Sequence, residues 1–384
     1  MSTLTSALLL FAAGVSAVYL AIILRLRRGL LSLPASGDFS SLTFSVVIAA
    51  RNEEDNIEAC LDTVLAQSIG PGRFEVIVVD DRSTDTTAEI VSRIAERHPA
   101  VSLVSITETP EGVSPKKHAV TEGIGRTRHE IVVFTDADCR VPPTWLETID
   151  RTFDRSTELV QGITTYRFVP GMNRLFFALQ ALDFLSHGIV AAAAIGAGVP
   201  LNSNANNLAV RRSTFDEVGG YGAFGRVVSG DDDLLLRKIS ARGPGRVRFM
   251  IDRRGAVETF PTPTPRGVFE QRKRWGSKTV YYGRAQVALL SAIFLFYCMF
   301  TASVVLSVCS GVHPVVPSGL FGVKLLGEYL LVAPGSRLFG RRELSRVTVA
   351  LSLLQAPMVI AAVLGGVFGR FRWKEQSFHR KAAK

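Results

Sequence analysis

Two apolar runs, each closed by aspartates, constrain this chain most. Phe74-Glu75-Val76-Ile77-Val78-Val79 leads into Asp80-Asp81, and Glu130-Ile131-Val132-Val133-Phe134-Thr135 leads into Asp136-Ala137-Asp138. Short, β-branched runs of this kind read as buried strands of a parallel sheet. Ligands of open α/β sheets bind outside the carboxyl ends of the strands. Two carboxylate clusters at two such ends predict one polar site, suited to a metal ion with an anionic ligand.

The neighbouring segments alternate in type. Phe44 to Ala50 reads as a strand, Glu53 to Ala66 as a helix, and Thr84 to Glu96 as a helix capped by Ser83 or Thr84. Val101 to Ile106 reads as a strand and Ser114 to Gly125 as a helix. This alternation predicts an α/β fold with a doubly wound, mostly parallel sheet. No G-x-G-x-x-G follows the first strand and no GxxxxGK[ST] occurs, so the two common nucleotide-binding loops lose support.

Of 384 residues, 47% are apolar, and these gather at the two ends. Leu4 to Leu24 is uncharged and long enough to cross a bilayer, with Arg25, Arg27 and Arg28 directly after it. The charges follow the apolar core, which favours an anchor over a signal peptide. Residues 1–28 are therefore expected to be a transmembrane anchor and 29–42 a linker. Thr43 to about Gly283 is expected to be one soluble block on the cytoplasmic side. Residues 286–384 form a membrane region, with apolar stretches at Val287 to Cys309, Val315 to Ala333 and Val347 to Gly369, and a basic tail. Three crossings would place Arg370, Arg372, Lys374, Arg380, Lys381 and Lys384 outside, against the positive-inside tendency. A last stretch that dips in and returns near Pro357 keeps that tail inside, together with Arg337, Arg341, Arg342 and Arg346.

The net charge of +10 fits this arrangement better than nucleic-acid binding, because the arginines flank apolar spans and no nucleic-acid motif is present. The expected surroundings are a lipid bilayer, in a bacterial plasma membrane. Cys60, Cys139, Cys298 and Cys309 form no CxxC pair and no zinc spacing, as expected of free thiols.

Asp136 and Asp138 suit a hard divalent ion, Mg²⁺ or Mn²⁺, which takes one or two carboxylates plus substrate phosphates. Asp80 and Asp81, facing a wall of Ala50, Arg51 and Glu53, suit a nucleotide's base or ribose. Lys116, at a helix start where the dipole disfavours lysine, suits a diphosphate. Asp231-Asp232-Asp233 opens an apolar helix, and one capping acid would suffice there. A carboxylate from this set suits a general base for an attacking hydroxyl, with Asp231 and Asp232 both open. Gln271-Arg272-Lys273-Arg274-Trp275 offers a cation and a flat ring just before the membrane.

Taken in order, Val79 to Asp85, Thr135 to Asp138, Ser229-Gly230-Asp231-Asp232-Asp233-Leu234 and Gln271 to Trp275 resemble the motifs of the membrane-bound members of glycosyltransferase family 2. Asn206 to Arg212 with Val218 to Tyr221 resembles the family's acceptor-side segment. The resemblance implies a GT-A domain over 43–285, a nucleotide-diphosphate sugar donor (a UDP-sugar), a divalent metal and inversion at the anomeric carbon. Carried over, Asp80 or Asp81 would bind uridine, Lys116 the diphosphate, Asp136 the ribose or donor sugar, and Asp138 the metal. Asp231 aligns with the base, with Asp232 its rival. Gln271, Arg274 and Trp275 would hold the diphosphate and the acceptor. Here Gly230-Asp231 stands where the family often has Glu-Asp. The few membrane segments favour one sugar added to a lipid or other membrane-embedded acceptor over a processive polysaccharide synthase. A transporter with a nucleotide-binding domain is disfavoured, since the clear spans lack internal carboxylates.

Overall fold

The computed structural model describes residues 3–38, 40–70, 72–222, 225, 230–310, 313–373 and 376–379. Ser229, Lys374, Arg380, Lys381 and Lys384 lie outside them. The elements in chain order are α1 (Thr3–Leu31), β1 (Phe44–Ala50), α2 (Ile57–Leu65), β2 (Phe74–Asp81), α3 (Thr87–Arg97), β3 (Val101–Ile106), α4 (Pro115–Gly125), β4 (Ile131–Phe134), α5 (Trp145–Thr152), β5 (Leu159–Gly162) and β6 (Thr164–Tyr166). There follow α6 (Arg174–Gly196), β7 (Leu208–Arg211), α7 (Arg212–Glu217), α8 (Asp231–Ser240), β8 (Val247–Met250), β9 (Val257–Thr259) and α9 (Pro265–Ser277). The chain closes with α10 (Arg284–Ser310), α11 (Val315–Leu338), α12 (Thr348–Phe368) and the hairpin β10 (Arg370–Trp373) and β11 (Gln376–His379).

Two compact units result. One comprises Leu33–Pro170 and Pro200–Pro261, and the other Met1–Ser32, Gly171–Val199 and Thr262–Lys384. The stretch expected as one block, 43–285, thus contributes to both.

The first unit is built on a seven-stranded sheet of order β3-β2-β1-β4-β7-β5-β8. β3, β2, β1 and β4 run parallel, β7 is antiparallel to β4 and β5, and β8 is parallel to β5. β6 and β9 form a small parallel pair. Both faces of the central strands are covered, which explains their continuous apolar sequences. Val46, Ile48, Val76, Val78 and Val133 pack with Ile57, Leu61 and Trp145 on one side. Val47, Ile77, Val79 and Val132 pack with Ala119, Ile124, Leu235 and Leu236 on the other. Full burial of each such side chain contributes about 1.5–3 kcal/mol. Register places Ala50 opposite Asp80, so β1 and β2 end level with each other.

One local expectation is corrected. The helix after β2 starts at Thr87, and neither Ser83 nor Thr84 caps it. Asp85 accepts from the Thr87 amide at 3.0 Å, while the Ser83 hydroxyl accepts from the Asn52 amide at 3.0 Å. Those polar groups tie the loops after β1 and β2 together, leaving the first turn to Asp85.

The second unit is helical. Among the described residues, five helices are long and apolar enough to cross a membrane: Leu9–Leu31, Arg174–Gly196, Arg284–Cys309, Val315–Leu338 and Arg342–Phe368. The second of these is α6; the strands before it and after it in the chain pair in one sheet, β4 with β7 and β5 with β8. α12 continues unbroken through Pro357, so the expected return at that proline is not seen. Small residues set the helix spacing. A Cβ on Gly29 of α1 would meet the Ala193 carbonyl of α6 at 2.2 Å, and one on Gly366 of α12 would meet the Lys273 carbonyl of α9 at 2.3 Å.

Candidate active site

β4 delivers Asp136 and Asp138 into a turn closed by the Cys139 amide bonding the Asp136 carbonyl at 3.1 Å. The Thr259 hydroxyl, at the end of β9, donates to Asp138 Oδ2 at 3.3 Å. Burial, then the neighbouring charges of Asp136 and Glu53, push the Asp138 carboxyl up to about 6. A half-buried acid under that much negative field calls for a cation.

Lys116 answers part of that demand. It stands in the first turn of α4, after the N-cap Ser114. Its Nζ lies 2.8 Å from Asp136 Oδ1 and 3.4 Å from Asp231 Oδ2. Burial alone would lower its pKa, but the carboxylates of Asp136 and Asp231 hold it above the usual lysine range. Lys117 is buried, with its ammonium 5.9 Å from the Tyr221 ring.

The three adjacent aspartates at the start of α8 are sorted by the helical turn. Gly230 precedes them with φ 83°, a left-handed conformation that suits glycine. Asp231 faces Lys116, and Asp232 lines the same cleft with Thr135, Asp136 and Tyr221. Asp233 turns inward, is 2% exposed, and accepts from the Ser203 amide at 2.5 Å.

Asp80 and Asp81 are buried at the end of β2. Asp80 Oδ1 accepts from the Ser83 amide at 3.3 Å. Asp81 pairs with Arg82 at 2.9 Å and lies 4.0 Å from Arg51. Asn52 and Arg82, directly after β1 and β2, both have positive φ, 51° and 58°. Such backbone costs on the order of 1–3 kcal/mol and concentrates at functional loops. Ala50 is buried, and the Glu53 amide donates to Thr87 Oγ1 at 2.8 Å.

The first unit therefore gathers Lys116, Asp136, Asp231 and Asp232 in one cleft, with Asp138 two residues on from Asp136 and within electrostatic reach of Asp136, Glu53 and Lys116. Gln271, Arg274 and Trp275 belong to the other unit, on α9, where all three are half-buried. Thr259 and Asp183 were not anticipated from the sequence. A threonine in a three-residue strand and an aspartate inside an apolar helix carry no local signature of a site.

The carboxylate pair fits a divalent cation. Among the described residues no three His, Cys, Asp or Glu side chains form a complete cage. Further oxygens would come from donor phosphates and water, as usual for Mg²⁺.

A seven-stranded mixed sheet with acids at the ends of β2 and β4, in a chain that also carries several long apolar helices, is the make-up of a membrane-associated GT-A enzyme. The family comparison agrees. The family described as Glycosyl transferase family 2 matches residues 45–176, and Glycosyl transferase family group 2 matches residues 131–364. The chain belongs to this glycosyltransferase family. It is 27% identical over 252 residues to the beta-monoglucosyldiacylglycerol synthase of Synechocystis sp., covering 62% of this chain and 49% of that one. It is 30% identical over 134 residues to glycosyltransferase AglE of Haloferax volcanii, covering 34% and 43%. The chain spans about half the length of these curated relatives. A mannosyltransferase from Pyrobaculum calidifontis, solved in complex with GDP-Man and Mn²⁺, shares the fold with TM-score 0.61 and 20% identity, covering 95% of this chain and 98% of that one.

Proposed function

We propose that this protein transfers one sugar, with inversion, from a nucleotide-diphosphate hexose, a UDP-sugar, to a hydroxyl of a membrane lipid. The observation that carries this reading is the cleft at the ends of β1 and β4. Asp138 is a half-buried acid demanding a cation, and Lys116 bridges Asp136 and Asp231 beside it. Kinship to a synthase whose name specifies a glucosyl lipid supports the acceptor class.

Asp138, with Asp136, would hold Mg²⁺ or Mn²⁺, which supplies charge neutralisation for a diphosphate leaving group. Asp80 or Asp81, with Ala50, Arg51 and Glu53, would receive the nucleoside. Lys116 exchanges its carboxylate partners for the diphosphate, where its charge stabilises the departing oxygens. Asp231 accepts the proton of the attacking hydroxyl as the new bond to the anomeric carbon forms. Asp232, in the same cleft, is the alternative base. Gln271, Arg274 and Trp275 would engage the diphosphate and the acceptor. The catalytic unit would face the cytoplasm, where nucleotide sugars are made, in a bacterial plasma membrane.

The test is transfer by purified protein in proteoliposomes, with UDP- and GDP-sugars, Mn²⁺ or Mg²⁺, and total lipid extract, read by mass spectrometry. A lipid gaining one hexose from a UDP-sugar supports the proposal. A ladder of additions would reassign the protein as a polysaccharide synthase. A GDP-sugar preference would overturn the donor. No nucleotide release with any donor would remove the enzymatic reading.

A further inference from the structure

The two outer residues of the segment Gln271 to Trp275 share one partner, Arg272. Its Nη1 donates to Gln271 Oε1 at 2.8 Å, and its guanidinium carbon lies 4.0 Å from the centre of the Trp275 ring. Arg272 is 6% exposed. A buried guanidinium needs a counter-charge, and Asp183 of α6 supplies it. Asp183 Oδ2 accepts from Arg272 Nε at 2.7 Å and lies 2.5 Å from Nη2. The same helix lines the ring, with Phe184 at 6.1 Å and His187 edge-on at 5.1 Å.

Asp183 is itself fixed from behind. Gln355 of α12 reaches Asp183 Oδ1 at 3.5 Å. Gln355 Oε1 accepts from Tyr297 of α10 at 3.2 Å and from Lys324 of α11 at 3.1 Å. Lys324 is fully buried and paired with Glu328, which also bonds Ser352. This thread of buried polar groups joins α6, α9, α10, α11 and α12. Apolar helices pack without such groups, and each carries a desolvation cost. Their convergence on Arg272 gives the thread a purpose.

We propose that Asp183 is a positioning residue. Through Arg272 it fixes the plane of the Trp275 ring and the Gln271 amide, and so sets how the membrane acceptor is held. This rests on the reading that Trp275 engages the acceptor. Neither Asp183 nor Arg272 touches the reacting atoms in this scheme.

The test uses Asp183→Asn, which keeps shape but loses charge, and Arg272→Lys, which keeps the ion pair but loses the planar fork. The full-length protein carries 5-fluorotryptophan at its three tryptophans, assigned by Trp275→Phe, in nanodiscs. In both variants the Trp275 fluorine resonance is expected to shift, while that of Trp145, in the other unit, stays. Acceptor KM is expected to rise roughly tenfold or more, since a small misplacement costs up to ~10²-fold, while donor KM holds. An unmoved Trp275 resonance in the Arg272→Lys variant, which retains the ion pair needed for folding, overturns the proposal. So does a shifted resonance with unchanged acceptor KM. If the wild type transfers no sugar, the functional reading fails, and the fluorine spectra still decide whether Asp183 positions the ring.

Discussion

Replacing Asp138 with asparagine separates electrostatic demand from chemistry. The carboxyl, ordinarily at 3.8, is pushed up to about 6 by burial and by Asp136 and Glu53. At about 1.4 kcal/mol per pH unit, that is about 3 kcal/mol. The sign follows from proton linkage. The folded state holds this proton more tightly than the unfolded chain, so stability from this group is full below pH 3.8 and is lost as pH rises to about 6. Above pH 6 the metal-free protein carries the whole penalty. Asp138→Asn carries none, so its stability advantage should grow from near zero at pH 4 to at most about 3 kcal/mol at pH 7. At roughly 2–4 °C per kcal/mol, the melting temperatures should part by up to roughly 10 °C. The assay is thermal unfolding in nanodiscs with EDTA, across pH 4–7. Adding Mn²⁺ at pH 7 should stabilise the wild type and leave the variant unmoved, with apparent metal affinity falling about tenfold per pH unit below 6. A gap independent of pH would refute the desolvated-acid argument. Equal Mn²⁺ stabilisation of both proteins would remove Asp138 from the metal site.

Further expectations follow from the same geometry. Asp231→Asn should lower turnover about 10²–10⁴-fold while the Mn²⁺-induced thermal shift persists; near-normal turnover would pass the base role to Asp232. Asp233→Ala should leave the Ser203 amide unpaired and cost roughly 1–3 kcal/mol of stability, read as a lowered melting temperature. Lys116→Gln should raise donor KM with little change in acceptor KM, and the reverse pattern would detach Lys116 from the diphosphate. Gly29→Val would drive a side chain into the Ala193 carbonyl at 2.2 Å and should cost about 1–3 kcal/mol; an unchanged melting temperature would contradict the close packing of α1 on α6.

What the sequence discloses depends on how local the cause is. β1 to β4 and their helices are legible to within about four residues, because each strand is a short apolar run between turns. The carboxylates at the ends of β2 and β4 are legible for the same reason. β5, β7 and β8 are four residues each, too short to show a period, and the antiparallel direction of β7 depends on long-range pairing. α6 escapes detection as a membrane-type helix because Gln180, Asp183, Ser186 and His187 interrupt its apolar run. Two of those interruptions, Asp183 and His187, meet Arg272 and Trp275 of α9. The Asp183–Arg272 pair spans 89 positions, and no local pattern links its halves. The sorting of Asp231, Asp232 and Asp233 likewise needs Lys116 and Ser203, which only the fold brings near.

Packing inside the helical unit fixes which helix ends lie together. α11 runs alongside α1 in the same direction, with Tyr19 against Gly327 and Arg27 donating to the Leu330 carbonyl. α12 starts after the turn Arg342–Val347, close to the end of α11, and Gly366 near its other end packs on Lys273 and Ser277 of α9. α10 and α11 are consecutive helices, so Cys309, exposed at the end of α10, reports the end away from Arg337. The positive-inside tendency predicts Arg370 and Arg372 on the same face as Arg337 and Arg342. In a Cys298→Ala background, an impermeant maleimide should then reach Cys309 and a Gly369→Cys reporter from opposite faces of sealed vesicles. Labelling of both from the same face would show that α12 spans the membrane.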